Sequence, residues 1–340
     1  MKQDEDYPID IVIPWVDGSD PDWICEKNKK IEELSIPSVA SFSEARFRDW
    51  DIIRYFFRSV ELYAPWVRTV HFVTWGHLPK WMDPNAPKLH IVRHKDYIPQ
   101  AYLPTFSSHT IELNMHRIPD LAEHFIYFND DMLLLRPAKR TDFFKKGLPR
   151  DYALLNVLAS SFRGSAADTS LTDIEVINTT FRKKDVIRKH FFKWFHPVYG
   201  KHLLRTLYLM PIPLFLNLSW THTCSSFLKS TFYKVWFHEY DLLDSTCRHP
   251  FRTRRDVNQW LIRQWQLCEG TFIPVSPKSR VAMLIRNKNE GIRKLLEEHK
   301  KTVVCLNENS SVRFKDVNKT IEEINTMLEK EFPAKSSFEL

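Results

Sequence analysis

The sequence predicts an α/β fold in which a mixed or mainly parallel sheet is covered by helices. Short β-branched and apolar runs alternate along the chain with segments whose apolar residues recur at helical spacing. This alternation is typical of such sheets. Two of the runs end abruptly in acidic residues, as expected where the strands of an open sheet face a ligand. We divide the chain into an α/β half, residues 1–137, and a helical, aromatic-rich half, residues 138–340, and expect the two to form one domain.

The first half contains the clearest strands. Each is a short run of apolar and β-branched residues followed by a polar turn. The predicted strands are Ile9–Trp15, Val67–Thr74, Leu89–Val92 and Phe125–Phe128. Helical spacing connects them over Arg46–Tyr63 and Thr110–His124.

The second half has a looser pattern. A strand is predicted over Tyr152–Leu158 and helices near Lys184–Phe195 and within residues 277–301. An amphipathic helix is expected over Val257–Leu267, and a last one over Thr320–Phe332. Thr320 and Glu323 form a capping-box signature at the start of that last helix.

Composition excludes several classes of protein. The chain has 340 residues, a net charge of +7 and only seven glycines, and no glycine-rich phosphate-loop pattern occurs. The charge suits an anionic partner, but no nucleic-acid-binding signature accompanies it. Five widely spaced cysteines indicate neither a disulfide framework nor a zinc site, and they fit a reducing compartment.

The N-terminus and the longest apolar segment bear on localisation. The acidic first ten residues lack the apolar region of a secretory signal, so we expect a cytoplasmic protein. The nearest approach to a membrane span is Thr206–Trp220, which is short and interrupted by Pro211 and Pro213. It is either a core segment, a pocket wall or a patch that contacts lipid.

The strongest candidate site follows the fourth predicted strand, where Asn129, Asp130 and Asp131 are consecutive. Adjacent carboxylates at the end of a buried strand need a compensating cation or several hydrogen-bond donors. A divalent ion on a diphosphate would serve, and an ordinary turn or helix cap is the alternative. Asp17, Gly18 and Asp20, in the turn after the first strand, would face the same crevice if both strands share a sheet.

Other candidates are basic or titratable residues next to predicted helices. Arg46, Arg48 and Asp49 precede a helix and would either bind an anion or form a surface ion cluster. His222 is either a structural histidine or a general base. Arg252 and Asp256 would pair with each other, or Arg252 would bind a phosphate and be fixed by Asp256.

Together these segments resemble the characteristic blocks of the Stealth family, which includes bacterial capsular and exopolysaccharide phosphotransferases and an animal lysosomal-enzyme N-acetylglucosamine-1-phosphotransferase. The first block is IDIVIPWVDGSD, at Ile9–Asp20. The second is long, from Arg46 to about Leu133, and includes RFRDWDIIRYFFRSVELYAPWVRTVHFVTWG. A looser third block spans about Trp220–Gln266, and a short fourth one is VCLNE at Val304–Glu308.

The resemblance implies a GT-A-like and Rossmann-like core and an enzyme that transfers a sugar-1-phosphate from a UDP-sugar to a saccharide hydroxyl, releasing UMP. Asp130 and Asp131 would hold Mg²⁺ or Mn²⁺, and Arg46 and Arg252 would neutralise phosphate oxygens. His222 or Asp17 would accept the hydroxyl proton. The remaining substrate-binding candidates are Trp15, Gly18, Asp20, Asp49, Asn129 and Asp256.

The second half would complete the active site and receive the acceptor. A polysaccharide or a lipid-linked glycan is the acceptor that the resemblance implies, with peripheral contact at the inner face of the cell membrane. The rival interpretations are a conventional GT-A glycosyltransferase that releases UDP and an inactive glycan-binding subunit. The sequence does not identify the donor sugar.

Overall fold

The computed structural model describes residues 6–35, 48–160, 166–308 and 314–340. Helices and strands alternate through the first half as predicted. The strands are β1 (Ile9–Trp15), β2 (Val70–Thr74), β3 (Leu89–Arg93), β4 (His124–Tyr127), β5 (Met132–Leu134), β6 (Phe144–Lys145), β7 (Leu148–Asp151), β8 (Ser225–Leu228), β9 (Ile273–Pro274), β10 (Arg280–Leu284) and β11 (Val303–Asn307).

The helices differ widely in length, from a single turn to four turns. They are α1 (Pro21–Glu33), α2 (Ile52–Tyr63), α3 (His94–Tyr97), α4 (Ser108–Leu113), α5 (Ala166–Thr180), α6 (Lys183–Lys189), α7 (Phe191–Trp194), α8 (Leu203–Leu209), α9 (Lys229–His238), α10 (Tyr240–Cys247), α11 (Gln259–Glu269), α12 (Glu290–Glu298) and α13 (Val317–Glu331).

A five-stranded sheet with the order β3-β2-β1-β4-β8 forms the centre of the fold. The strands β3, β2, β1 and β4 are parallel to one another, and β8 is antiparallel at the edge. Ile11 pairs with Val70 on one side and with Ile126 on the other. The mixed, mainly parallel sheet confirms the predicted fold class.

Both faces of this sheet are buried, which explains why its strands are continuous apolar runs. Ile11 and Ile13 point to a core that contains α2, with Phe56 and Phe57. Val12 points to the opposite core, which is built by helices of the second half such as α9 and α11. The period of two along β1 therefore assigns alternate residues to two different cores.

A second sheet, with the order β10-β11-β5, brings the end of the chain back to the central sheet. β11 is parallel to β10 and antiparallel to β5, and Cys305 pairs with Met132. The Leu306 N–H donates to the Asp131 carbonyl at 2.8 Å. A third small sheet has the order β6-β7-β9. The β5–β11 pairing places residues 303–307 directly beside the Asp130–Asp131 turn.

Two helices predicted in the first half are shorter than expected. The Arg46–Tyr63 prediction is wrong at its start, because α2 begins at Ile52 after Asp51, whose φ is 54°. The Thr110–His124 prediction is wrong beyond Leu113, where α4 ends. Pro119 prevents the helix from continuing to His124, since it restricts the preceding Ile118 to an extended conformation, with ψ 126°.

Two predictions in the second half also need correction. Tyr152–Leu158 is not a strand, because β7 ends at Asp151 and only Leu155 forms an isolated bridge, to Leu218. The helix predicted over Val257–Leu267 begins at Gln259 and is buried on nearly all sides rather than amphipathic. Its side-chain cap is Asn258, which accepts from the Trp260 N–H at 2.9 Å.

The tail helix docks on the body as predicted, but its start differs. α13 begins at Val317, and Asp316 caps it by accepting from the Lys319 N–H at 3.0 Å. Thr320 therefore lies inside the helix, so the capping-box prediction is wrong. The predicted Lys184–Phe195 and 277–301 helices are confirmed as α6 with α7, and as α12. Within the described residues, no helix has the length and hydropathy needed to cross a membrane.

A buried ion pair fixes α11 to the segment that leads to His222. Arg263 donates to both carboxylate oxygens of Asp151 at 2.7 Å, and to the Ser219 carbonyl at 3.1 Å. Both partners of the ion pair are nearly excluded from solvent. Removing one partner of such a pair leaves the other charge buried without compensation.

We predict that Arg263→Met lowers the free energy of unfolding by about 3–5 kcal/mol, measured by urea denaturation. Lys30→Met is the matched control, since Lys30 pairs with Glu33 on the exposed surface of α1, and such pairs contribute less than about 1 kcal/mol. Equal losses in the two variants would contradict a structural role for the Arg263–Asp151 pair.

Candidate active site

A cleft opens where the strand order of the central sheet reverses, between the carboxyl ends of β1 and β4. Ligands bind at such switch points because loops from adjacent strands diverge there. The cleft has a cavity volume of about 240 Å³. The predicted site residues among those that line it are Trp15, Asn129, Asp130, His222 and Arg252.

Asp131 and His222 form the centre of the polar cluster. The Asp131 Oδ2 atom lies 3.6 Å from His222 Nε2 and accepts a hydrogen bond from the Cys305 thiol at 3.1 Å. The Asn129 amide nitrogen lies 3.1 Å from the same His222 Nε2. The turn after β4 and the loop before β8 therefore meet at one imidazole nitrogen.

The charges of Asp131 and His222 support each other. Burial opposes the ionisation of Asp131, but the His222 imidazole and the Cys305 thiol outweigh it and lower the pKa of Asp131. Burial also disfavours the imidazolium form of His222, but the Asp131 carboxylate outweighs it and raises the pKa of His222 above its ordinary value. The Asp131 carboxylate and the His222 imidazolium thus each favour the charged form of the other.

Asp130 is in the opposite electrostatic situation. Its side chain contacts solvent at the cleft, but the surrounding protein desolvates the carboxyl, and the charges of Asp131 and Asp49 repel it. These effects raise the pKa of Asp130 to about 8. If both carboxyls are ionised, one nearby histidine does not balance their charge, so a bound cation would favour the ionised form of Asp130.

The donor set at Asp131 fits a divalent cation. Asp131 Oδ1 is buried and has no hydrogen-bond partner among the described residues, so a carboxylate oxygen remains available. Asp131, His222 and Cys305 each place one possible ligand atom within 4.8 Å of the others, whereas Asp130 is outside this group. Burial and Asp131 raise the pKa of the Cys305 thiol well above its ordinary value, so Cys305 remains a thiol that donates to Asp131.

The turn after β1 serves mainly to start α1. The Asp17 carboxylate accepts from the Ser19 N–H and hydroxyl at 2.8 and 2.6 Å. Asp20 caps α1 by accepting from the Trp23 N–H at 2.9 Å. Gly18 lies within the turn, and neither it nor the two aspartates lines the cleft formed by the described residues. Asp17, Gly18 and Asp20 are therefore beside the cleft rather than in it.

The residues before α2 divide into three groups. Asp49 accepts from the Trp15 indole N–H at 3.2 Å, and burial raises its pKa, so Asp49 positions a tryptophan that lines the cleft. Arg48 forms an ion pair with Glu308 at 2.5 Å, which supports the ion-cluster interpretation for that residue. Arg46 lies outside the described residues.

Arg252 and Asp256 do not pair with each other. Arg252 lines the cleft, is exposed, and donates to the Ser108 hydroxyl at 2.5 Å. Asp256 is buried and accepts from the Thr253 N–H and hydroxyl, both at 2.6 Å, and its carboxylate lies 2.8 Å from His249 Nδ1. Asp256 therefore fixes the loop that presents Arg252, and the guanidinium remains directed at the cleft.

Several residues near the site were not predicted. Cys305 contacts Asp131, His77 accepts from the Asp17 N–H at 2.8 Å, and His109 lines the cleft 3.5 Å from Asp256. Glu112 and Trp260 also line it. The family blocks could have indicated these residues. Cys305 lies in VCLNE, and His77, His109 and Glu112 lie in the long second block.

Comparison with protein families matches two regions of this chain. Residues 7–29 match the model described as Stealth protein CR1, conserved region 1, and residues 46–151 match Stealth protein CR2, conserved region 2. These regions contain β1, β4 and the Asp130–Asp131 turn, so the matched segments include the carboxyl-end side of the cleft.

Curated proteins are similar over nearly the whole chain. A capsular polysaccharide phosphotransferase WcwK of Streptococcus pneumoniae is 39% identical, covering 97% of this chain and 98% of its own length. The receptor polysaccharide phosphotransferase WefC of Streptococcus gordonii is 34% identical, covering 98% and 99%. The exopolysaccharide phosphotransferase cps2G of Lactiplantibacillus plantarum is 34% identical, covering 98% and 96%.

Among solved structures, the apo-form glycosyltransferase GlyE of Streptococcus pneumoniae TIGR4 is similar with a TM-score of 0.36 and 9% identity. The match covers 98% of this chain and 64% of that one.

Proposed function

The chain belongs to the Stealth family of sugar-phosphate transferases, and from this premise we propose that it transfers a hexose-1-phosphate, such as an N-acetylhexosamine-1-phosphate, from a UDP-sugar to a saccharide hydroxyl. The acceptor oxygen attacks the β-phosphorus of the donor. A phosphodiester forms, the bond from that phosphorus to the bridging oxygen breaks, and UMP leaves. The acceptor is a polysaccharide or a lipid-linked glycan at the cytoplasmic face of the membrane.

The observation that supports this proposal most directly is the partition of charge across one cleft. Acidic groups, Asp130 and Asp131, lie at one strand end, and the Arg252 guanidinium lies in the same cleft. Phosphoryl transfer depends more on positioning and charge neutralisation than on covalent catalysis. An arginine on phosphate oxygens and carboxylates that hold a cation provide the two kinds of contact a diphosphate requires.

Asp131 would hold Mg²⁺ or Mn²⁺ through its unpartnered Oδ1 atom, with Asp130 beside it. The bound ion would neutralise diphosphate oxygens. Oxygen ligands favour these ions over zinc, and the Cys305 thiol donates a hydrogen bond to Asp131.

His222 is the residue we propose as general base. Its Nε2 atom faces both the Asn129 amide nitrogen and the Asp131 carboxylate. The amide donates to that nitrogen when the ring is neutral, and the carboxylate stabilises the proton when the ring is charged. Both the neutral and the protonated ring therefore have a partner at Nε2, and Nε2 can accept a proton from the acceptor hydroxyl. Asp17, the alternative base, uses its carboxylate within its own turn.

A conventional glycosyltransferase would attack the anomeric carbon and release UDP. An inactive glycan-binding subunit would release no nucleotide, and the intact Asp131–His222 pair beside the cleft counts against it.

We predict that incubation with a panel of UDP-sugars, Mg²⁺ and a saccharide acceptor releases UMP, identified by chromatography and mass spectrometry. Release of UDP would contradict phosphotransfer and support glycosyl transfer.

The metal proposal has a test that does not depend on turnover. We predict that Mn²⁺ binds the wild-type protein and that Asp131→Ala removes this binding and abolishes turnover, while the fold remains intact by circular dichroism. Binding is measured by electron paramagnetic resonance of the free ion. Asp17→Asn is the control and should retain Mn²⁺, because Asp17 lies outside the Asp131 cluster. Near-normal activity in Asp131→Ala would contradict the assignment.

For the base, we predict that His222→Ala lowers kcat by ~10²–10⁴, the usual contribution of general acid–base catalysis, with KM for the donor little changed. Asp17→Asn should lower kcat far less. Steady-state kinetics at saturating Mg²⁺ measure both variants. A change confined to KM in His222→Ala, or a larger loss of kcat in Asp17→Asn, would transfer the role away from His222.

A further inference from the structure

The segment 182–216 carries a surface that the proposed reaction does not use. It contains α6, α7 and α8 and the turns between them. Large apolar side chains project from it into solvent, where Phe192, Leu204 and Tyr208 are 83%, 70% and 82% exposed. Large apolar patches that are exposed and bordered by polar residues mark interaction sites on soluble proteins.

One face of α8 accounts for the centre of this surface. Leu204, Leu207 and Tyr208 recur at positions i, i+3 and i+4 and are all exposed, whereas Thr206 and Leu209 on the other side are buried. The helix therefore has two sides in different environments. One is packed in the core, and the other faces outward from the described part of the chain.

This outward face is held firmly in place. The buried Lys183 ammonium donates to the Leu209 carbonyl at 2.7 Å and to the Ile212 carbonyl at 2.6 Å, which fixes the end of α8 to the start of α6. The Trp194 and Phe215 rings pack with centroids 5.8 Å apart beneath α7. The exposed side chains therefore project from an anchored scaffold rather than from a frayed end.

The charge of the segment is strongly positive. It contains eight lysines and arginines and one acidic residue, Asp185, so its net charge of +7 equals that of the entire chain. Lys184, Lys189, Lys201 and Arg205 are exposed on the same segment as the apolar side chains. Another exposed aromatic surface, with Tyr233 and Phe237 on α9, provides a contrast, since residues 229–247 contain two lysines and three acidic residues.

We propose that this basic apolar surface, formed by the exposed side chains of residues 182–216, docks on an anionic lipid bilayer. Apolar side chains that insert at the headgroup boundary, surrounded by lysine and arginine, are the features that bind a helix to such an interface. A second copy of the chain is a poorer occupant, because a two-fold contact through this face would bring two equally positive surfaces together.

The position of the surface also suits a lipid-linked acceptor, and in this respect the inference rests on the proposed function. Leu216 is exposed at the edge of the surface, and His222 follows it by only six residues. Six extended residues span about 20 Å at most. A docked enzyme would therefore hold its proposed base within reach of a glycan that is attached to the same bilayer.

Vesicle co-sedimentation without donor or acceptor tests the docking separately from catalysis. Wild-type protein should bind vesicles of phosphatidylcholine and phosphatidylglycerol and should bind vesicles of phosphatidylcholine alone far less. The triple variant Leu204→Ser, Leu207→Ser, Tyr208→Ser should bind the anionic vesicles at least about tenfold more weakly. The triple variant Lys184→Glu, Lys189→Glu, Lys201→Glu should lose at least roughly fivefold per residue.

The matched control is Tyr233→Ser with Phe237→Ser, which removes exposed aromatic side chains from a surface without excess positive charge and should bind as wild type does. Absence of wild-type binding, or equal loss in the control, would overturn the proposal. The proposal would also be overturned if light scattering showed that the wild-type protein is a dimer and the α8 variant is a monomer, since a second copy would then cover this face.

Turnover of a soluble acceptor should be unchanged in the α8 variant. If neither protein releases a nucleotide, the proposed function fails while the vesicle result stands.

Discussion

The structure of the site depends on one half-buried carboxylate, Asp131. Its backbone carbonyl is held by the Leu306 N–H, and its side chain is held by Cys305 while one oxygen remains without a partner. The same carboxylate stabilises charge on His222 and repels charge on Asp130. A change in the charge at Asp131 is therefore felt at every titratable group of the cluster, which makes it the group through which a cation and a proton acceptor would influence each other.

The topology explains how distant parts of the chain reach this carboxylate. β4 delivers the Asp130–Asp131 turn beside β1, β8 joins the edge of the same sheet shortly after His222, and β11 pairs with β5 to bring Cys305 from the far end of the sequence. Residues 1–137 and 138–340 are thus parts of one continuous hydrogen-bonded arrangement. The central sheet is incomplete without β8, and the Asp131 environment is incomplete without β11.

Local pattern was sufficient to predict the central sheet and the position of the Asp130–Asp131 turn at its carboxyl edge, whereas the expectation that His222 lies with Asp131 came from the family resemblance. Local pattern did not predict contacts between residues that are distant in the sequence. Cys305 reaches Asp131 only through the β5–β11 pairing. Arg252 and Asp256 have the spacing of a helical ion pair, yet α11 starts after them, and Asp256 bonds instead to Thr253.

The pair at the centre of the site also imposes an order on the proposed reaction. While Asp131 is fully charged and faces only His222, it favours the protonated imidazole, and a protonated ring cannot accept a proton from an acceptor hydroxyl. Once the charge of Asp131 is shared with a cation on the donor diphosphate, that preference weakens, and the neutral ring, supported by the Asn129 amide, becomes available. The base would therefore become competent only after the donor is bound. The acceptor hydroxyl would thus be activated only when a donor is present to receive it.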